Sequence, residues 1–270
     1  MNYLIYIFLG IIQGLTEPLP ISSSGHLYLM KQLFNTNLLN DLNFEIVVNF
    51  GSFIAIFFIF YKDIIKLING FFKYIFDKTN QKKYYNEFKY CMLIIIGTIP
   101  VGIAGIFLKD IIEDTLTRTW ILGICFLITA LALFIVKNIK GTKDDYDITY
   151  KDAIIIGLLQ VIALTPGISR SGTVLVACLL CNLKRDSALK YTFMLYFPVS
   201  VASMILGVKD LVNSPNINDL IFPYFLGMIA SMIVTYFSYK WLSDWVKKGK
   251  LWKFSIYCLI LGIFVLFYFR

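Results

Sequence analysis

Charge is what this sequence has least of. Only 16% of its 270 residues are Asp, Glu, Lys or Arg, while 58% are hydrophobic and the mean hydropathy is +0.73. That excludes a soluble domain, because a fold of this size cannot hide so much apolar surface from water; lipid must be the solvent for much of the chain. Acidic residues are scarcer than basic ones, 17 against 25, but the excess lies in short connections between apolar runs. It therefore does not form the continuous basic face that nucleic acid requires. The five cysteines (Cys91, Cys125, Cys178, Cys181 and Cys258) are odd in number and sit in apolar segments. No disulfide framework follows, and the C-x-x-C at Cys178 and Cys181 reads as small apolar filling. The basic n-region and small-residue cleavage pattern of a secretory signal are also lacking at the first apolar run.

What is present is a set of long apolar segments. Six can cross a bilayer, at about 44–62, 89–108, 119–137, 187–207, 221–241 and 252–269. The stretches 3–35 and 152–183 are different. Each is a short apolar run, a Pro/Gly/Ser break, then another short apolar run, the pattern of a re-entrant helical hairpin. The expected architecture is an all-α integral membrane protein of one domain, 1–270, with six transmembrane helices and two re-entrant hairpins. Alternating sides puts nineteen lysines and arginines, in the connections 62–89, 137–151, 184–190 and 240–253, on one face. Lys31, Lys109, Arg118, Lys209 and Arg270 fall on the other. The positive-inside rule makes the first face cytoplasmic, so that the first hairpin enters from outside and the second from inside. Residues 63–78 read as an amphipathic helix lying on the cytoplasmic surface.

The only histidine, His26, falls within the break EPLPISSSGH (17–26), and that break recurs. GIIQGLTEPLPISSSGH (10–26) aligns without a gap on GLLQVIALTPGISRSGT (157–173) at an offset of 147. Gly10 falls on Gly157, Gln13 on Gln160, Ile21 on Ile168, Ser22 on Ser169, Ser24 on Ser171 and Gly25 on Gly172. The same offset places Phe50 on Phe197 and Ala55 on Ala202. Each repeat, approximately 1–138 and 148–270, is a hairpin plus three spans. Three is odd, so the halves are expected in opposite orientations, with their broken helices meeting at a site near the midplane.

The chemistry of that site can be read from its residue types. Broken-helix N-termini carrying serines offer hydroxyls and free N–H donors to an anion. Arg170, between Ser169 and Ser171, is costly inside a membrane unless paired, and its guanidinium suits phosphate or carboxylate. Glu17 lies four residues after Gln13, so both side chains share one helix face and could hold a metal ion or a water. Pro18 places the pair on the last helical turn. His26, beside three serines, is a candidate for proton transfer or nucleophilic attack. An ion pair of Glu17 with Arg170, and a purely structural histidine, are the plainer alternatives.

These motifs carry a resemblance. QGLTEPLPISSSGH resembles the E/Q-x-x-x-E motif and following SSSGH of the bacterial undecaprenyl-diphosphatase, or bacitracin-resistance, family. PGISRSG (166–172) resembles its second signature, P-G-x-S-R-S-x-x-T, and 44–63 and 187–203 fit its pattern in place and spacing. The resemblance implies an enzyme of the bacterial plasma membrane with an outward-facing site. It would hydrolyse undecaprenyl diphosphate to undecaprenyl phosphate and inorganic phosphate, recycling the carrier lipid of peptidoglycan synthesis. It implies a divalent cation, magnesium or calcium, with Gln13 and Glu17 as candidate ligands. Glu17, Ser23, His26 and Arg170 are then the candidate catalytic residues, with either Ser23 or His26 as nucleophile, or direct attack by water. Ser22, Ser24, Gly167, Ser169, Ser171 and Thr173 are candidate substrate-binding residues. The partners would be the polyprenyl lipid and the membrane, with a homodimer left open and nucleic acid excluded. Three positions depart from the pattern: Val174 stands where the closing threonine should be, Thr173 sits one place early, and Pro18 replaces an aromatic residue. SSGH and SR also resemble the motifs of type 2 phosphatidic acid phosphatases, which need two histidines; this chain has one. A transporter or flippase of a lipid phosphate or other anion is the non-enzymatic alternative, since inverted repeats with meeting hairpins suit it equally.

Overall fold

The computed structural model describes residues 3–34, 42–108, 119–212 and 217–269. Among them are ten α-helices and no named strand: α1 (Tyr3–Thr16), α2 (Ser23–Phe34), α3 (Leu42–Phe76), α4 (Gln81–Phe107), α5 (Thr119–Val136), α6 (Tyr150–Ile162), α7 (Arg170–Leu180), α8 (Arg185–Val212), α9 (Ile217–Lys247) and α10 (Leu251–Tyr268). Helices α3, α4, α5, α8, α9 and α10 contain the six expected spans, and each is long and apolar enough to cross a bilayer. Their outward faces carry bare apolar side chains such as Phe58, Phe134 and Phe267. In water such a surface would aggregate; around a bundle of spans it is the lipid-facing wall. The protein is a multi-pass membrane protein.

Helices α1, α2, α6 and α7 have 14, 12, 13 and 11 residues. At 1.5 Å per residue they reach about 16–21 Å, well short of the roughly 30 Å hydrocarbon core. Helix α7 is enclosed by its neighbours, and every residue from Val174 to Leu179 is buried. Helix α1 lies along α9 and α6 along α4, and both crossings depend on glycine. A Cβ on Gly10 would overlap the carbonyl of Gly227, and a Cβ on Gly157 would overlap that of Gly97. Contact this close supplies the packing that drives helix association where no hydrophobic effect operates between helices. Hydroxyls add polar ties between spans: Ser52 to Ser231 at 2.8 Å and to Thr235 at 2.9 Å, and Tyr191 to the Leu93 carbonyl at 2.7 Å.

The four basic connections gather at one end. Lys190 bridges Asp63 and Asp145, Lys143 holds Asp152, Arg185 caps the carbonyls of Lys137 and Ile139, and Lys247 reaches Asp186. That gathering agrees with the charge count. On the other face, Lys109, Arg118 and Arg270 lie outside the described residues, as do the side chains of Lys31 and Lys209. One expectation is corrected. Residues 63–76 are not a separate surface helix but the continuation of α3, whose 35 residues extend about 52 Å. Part of their aromatic side packs on α4, where Phe71 and Tyr74 both stack on Phe88, Tyr74 at 4.2 Å between centroids, while Phe72, Ile75 and Phe76 are exposed. The cysteines are free, and Cys178 is fully buried as filling.

Leucine at Gly157 or Gly10 should lower stability in detergent by about 2 kcal/mol or more, the usual scale for overpacking. Alanine at Gly102, whose Cβ position has nothing within 4 Å, should change it little. Thermal unfolding of the purified variants checks both.

Candidate active site

The site forms where the two short-helix pairs touch at their tips. In the first pair, α1 ends at Thr16 because Pro18 cannot continue it, and the chain turns through Leu19, Pro20 and Ile21. Ser22 then takes a left-handed conformation, φ +70°, unusual for a residue with a Cβ. Its hydroxyl accepts from the Gly25 amide at 3.3 Å and so caps α2. The second pair turns through Gly167, φ +93°, and Ser169 caps α7 through the Gly172 amide at 3.1 Å. Ser171 at the second tip donates to the Leu19 carbonyl of the first, at 3.1 Å.

Glu17 is the hub. Its Oε1 accepts from Arg170 Nη2 at 3.1 Å, across 153 positions of sequence, and its Oε2 accepts from Gln13 Nε2 at 2.9 Å and from the Ser23 hydroxyl in a short bond. The Gln13 amide also donates to Asn49 Oδ1 on α3, while its own carbonyl oxygen is buried with no partner among the described residues. Arg170 is supported from behind by the Tyr196 ring, 4.9 Å from its guanidinium carbon. Arg170 is thus the counter-ion of Glu17, the plainer of the two readings, and it also lines the cavity.

That cavity has a volume of about 230 Å³. Of the candidates from the sequence, Glu17, Ser22, Ser23, Ser24, Ser169, Arg170 and Ser171 line it. Gln13, His26, Gly167 and Thr173 stand behind this wall. Gly167 is pressed against Leu122 and Cys125, and the Thr173 hydroxyl is turned back onto the Ser169 carbonyl at 2.8 Å. His26 is 5% exposed, with both ring nitrogens engaged inside the protein. Nδ1 is 2.6 Å from the Ser22 carbonyl, and Nε2 is 2.7 Å from the Tyr257 hydroxyl, whose ring stacks on the imidazole. A carbonyl can only accept, so Nδ1 carries the proton and Nε2 accepts from the tyrosine. The histidine thereby grips the strained Ser22, next to Ser23.

Sequence reasoning missed Glu45, Asn49, Gln160 and Tyr196, all of which line the cavity. A signal existed for the first two. They are an i, i+4 polar pair inside a membrane-spanning apolar run, where polar residues are costly unless they serve a site. For Tyr257 there was none, because an aromatic residue on the last span looks like lipid-facing bulk.

The model of the family described as bacitracin resistance protein BacA matches residues 6–264. Among curated relatives, Undecaprenyl-diphosphatase 1 of Bacillus cereus is 43% identical over 263 residues, 97% of this chain and 96% of that protein. Undecaprenyl-diphosphatase of Oceanobacillus iheyensis is 41% identical over 97% of this chain and 95% of its own length. Undecaprenyl-diphosphatase 1 of Bacillus licheniformis is 40% identical over 99% of this chain and the whole of that protein. The chain belongs to the BacA family.

If His26 acts by holding Ser22, asparagine at this position, which keeps a donor for the Ser22 carbonyl, should retain more phosphatase activity than alanine does. We expect His26→Ala to lower kcat/KM about 100-fold or more and His26→Asn to recover roughly tenfold of that, about 1.4 kcal/mol. Steady-state kinetics of the two variants test this.

Proposed function

We propose that the protein hydrolyses undecaprenyl diphosphate to undecaprenyl phosphate and inorganic phosphate, with Ser23 as nucleophile and Glu17 as its base. One observation carries this reading: a cavity-facing hydroxyl bonded to a carboxylate whose other oxygen is held by an arginine at the same cavity. It is the nucleophile–base–orienter arrangement of covalent catalysis. Ser23 Oγ attacks the terminal phosphorus and its proton passes to Glu17. The bond from that phosphorus to the bridging oxygen breaks, and the prenyl phosphate leaves with the bond's electron pair. Glu17 hands that proton to the departing prenyl phosphate and is a carboxylate again; it then takes a proton from water, whose oxygen attacks the phosphoserine, and returns it to Ser23 Oγ as the phosphorus–serine bond breaks and inorganic phosphate is freed. Arg170 neutralises charge on the transferring group and the hydroxyls of Ser22, Ser24 and Ser169 offer it hydrogen bonds, while Ser171 holds the tips in register; such stabilisation is most of what phosphoryl transfer asks of a protein. His26 and Thr173 act from behind, fixing the turns that present these groups.

A divalent cation fits the same place. Gln13 Oε1, just behind the cavity wall, is buried with no partner among the described residues; Glu17 and Asn49 are bonded to the same side chain and Glu45 lines the cavity, so the oxygens available are the hard donors that magnesium and calcium prefer. Among the described residues no three His, Cys, Asp or Glu side chains gather, so amide and phosphate oxygens would complete the set. Such an ion supplies charge neutralisation to the diphosphate.

The arrangement of the chain in the membrane follows from the same features. Two re-entrant hairpins and an inverted repeat are supported by the pairing of positions 147 apart around one cavity: Ser23 with Arg170, Glu45 with Thr192 and Asn49 with Tyr196. Helix exchange supports it too, since α1 packs on α9 as α6 packs on α4, with Gly10 and Gly157 at equivalent crossings. Gly123 and Gly262, on α5 and α10, meet reciprocally, each approaching the other's carbonyl, as at a two-fold axis. The repeats would then divide the work, the first bringing carboxylates and nucleophile and the second the anion clamp. Glu45 and Asn49 are on the part of α3 remote from the basic end, which supports a site facing outward across a bacterial plasma membrane.

Purified protein in detergent should release phosphate from undecaprenyl diphosphate and lose that activity in EDTA. Ser23→Ala and Glu17→Gln should each reduce kcat/KM at least 1,000-fold, and Arg170→Ala at least tenfold. Absence of release from folded wild type with magnesium supplied would overturn the reading. A covalent phosphoryl-enzyme trapped by acid quench on wild type, and absent from Ser23→Ala, would identify the nucleophile.

A further inference from the structure

A second, smaller cavity of about 100 Å³ adjoins the first, and Asn49, Arg170, Tyr196 and Ser203 belong to the walls of both. Its remaining wall is Ile46, Ser200 and Met204. It lies in the seam between α3 and α8, which close on each other just beyond it, where Gly207 admits the Ile46 side chain. On the flanks of the seam, Phe50 and Val201 are exposed on the apolar exterior. Ser200 is the anomaly. It is 7% exposed, and its hydroxyl is buried within electrostatic reach of the Tyr196 hydroxyl but makes no bond of ordinary hydrogen-bond geometry among the described residues. Its neighbour Ser203, by contrast, is satisfied by the Val199 carbonyl at 3.0 Å.

We infer that this side chamber is the binding site of the prenyl monophosphate portion of the substrate. In it Ser200 donates to the phosphate next to the lipid, and the chain leaves between α3 and α8 toward the bilayer. The inference rests on the diphosphatase reading and adds where the two halves of the diphosphate lie. The distal phosphoryl group must be in the main cavity, within reach of Ser23. The other phosphate, one bridging oxygen away, needs its own donors and an apolar outlet. The side chamber supplies both: Arg170 and Ser200 face it from the polar side, and Ile46 and Met204 from the apolar side. Arg170, common to both chambers, can touch both phosphates, so charge that develops on the leaving prenyl phosphate stays beside a guanidinium. A membrane-exit seam at this chamber also lets the monophosphate depart into lipid while inorganic phosphate leaves through the main cavity.

The test measures binding, separately from turnover. Farnesyl phosphate and inorganic phosphate are titrated against the full-length protein in detergent, and their affinities are read from ligand-induced thermal stabilisation. Ser200→Ala should weaken farnesyl phosphate about tenfold and leave inorganic phosphate unchanged, while Arg170→Ala weakens both. Because Ser200→Ala could alter packing, Met204→Trp, which fills the chamber from its apolar side, gives a second reading: farnesyl phosphate should again be lost selectively. Equal losses for the two ligands, or no loss for farnesyl phosphate in either variant, would overturn the side-chamber assignment. Failure of wild type to hydrolyse the diphosphate would instead overturn the enzymatic reading.

Discussion

A carboxylate and a guanidinium, brought from opposite halves of the chain to the meeting point of two helix tips, set the terms for everything around them. The Glu17 side chain is 7% exposed and that of Arg170 31%, so each charge has lost much of its contact with water and is offset by the other. The pair therefore ties the two tips together, while the Ser171 bond to Leu19 fixes their register. It also leaves each charge only partly satisfied by the other. Glu17 uses its second oxygen to accept from Gln13 and Ser23, and Arg170 spends only Nη2 on the pair while its guanidinium lines the cavity. The pair is thus more than a strut: it is part of the cavity wall.

Around that pair the protein makes unusual use of distortion. Ser22 adopts a backbone conformation that favours glycine, and the distortion is sustained by His26, which engages the same carbonyl through both its ring and its backbone amide. Tyr257 reaches in from the last helix to hold the ring. The chain of contacts from α10 through the imidazole to Ser22, beside Ser23, gives a remote span a part in the geometry of the cavity wall, in the way outer residues orient ligands in other sites.

Much of this was legible in the sequence, and the boundary of legibility is physical. The six spans were readable because bilayer thickness fixes how many apolar residues a crossing needs, and the four short helices because they fall short of it. The Glu17–Arg170 pair could be anticipated because intramembrane charges must find each other. The repeat named the matching serines, since tip geometry demands the same cap twice. What could not be read was orientation about a helix axis. His26 belongs to the motif yet its ring turns away from the cavity, Thr173 satisfies its own helix, and Asn49 and Tyr196 reach the site from spans whose composition is otherwise apolar. The extension of α3 was misjudged for a related reason. An amphipathic face indicates that a partner exists, and α4 serves as well as lipid.

The exchange of partners between halves has a consequence for how the chain is made. Helix α1 is synthesised well before the groove that accepts it, which is on α9, more than 200 residues later. Until that helix is inserted, a short apolar segment with a glutamate just past its end has only α2 and the start of α3 to shield it and is too short to span on its own. Biogenesis is thus obliged to keep α1 and α2 waiting, and the candidate site takes its final form only after α9 has been made. Two halves expressed apart would not be two domains; each would lack the helix against which its own hairpin rests.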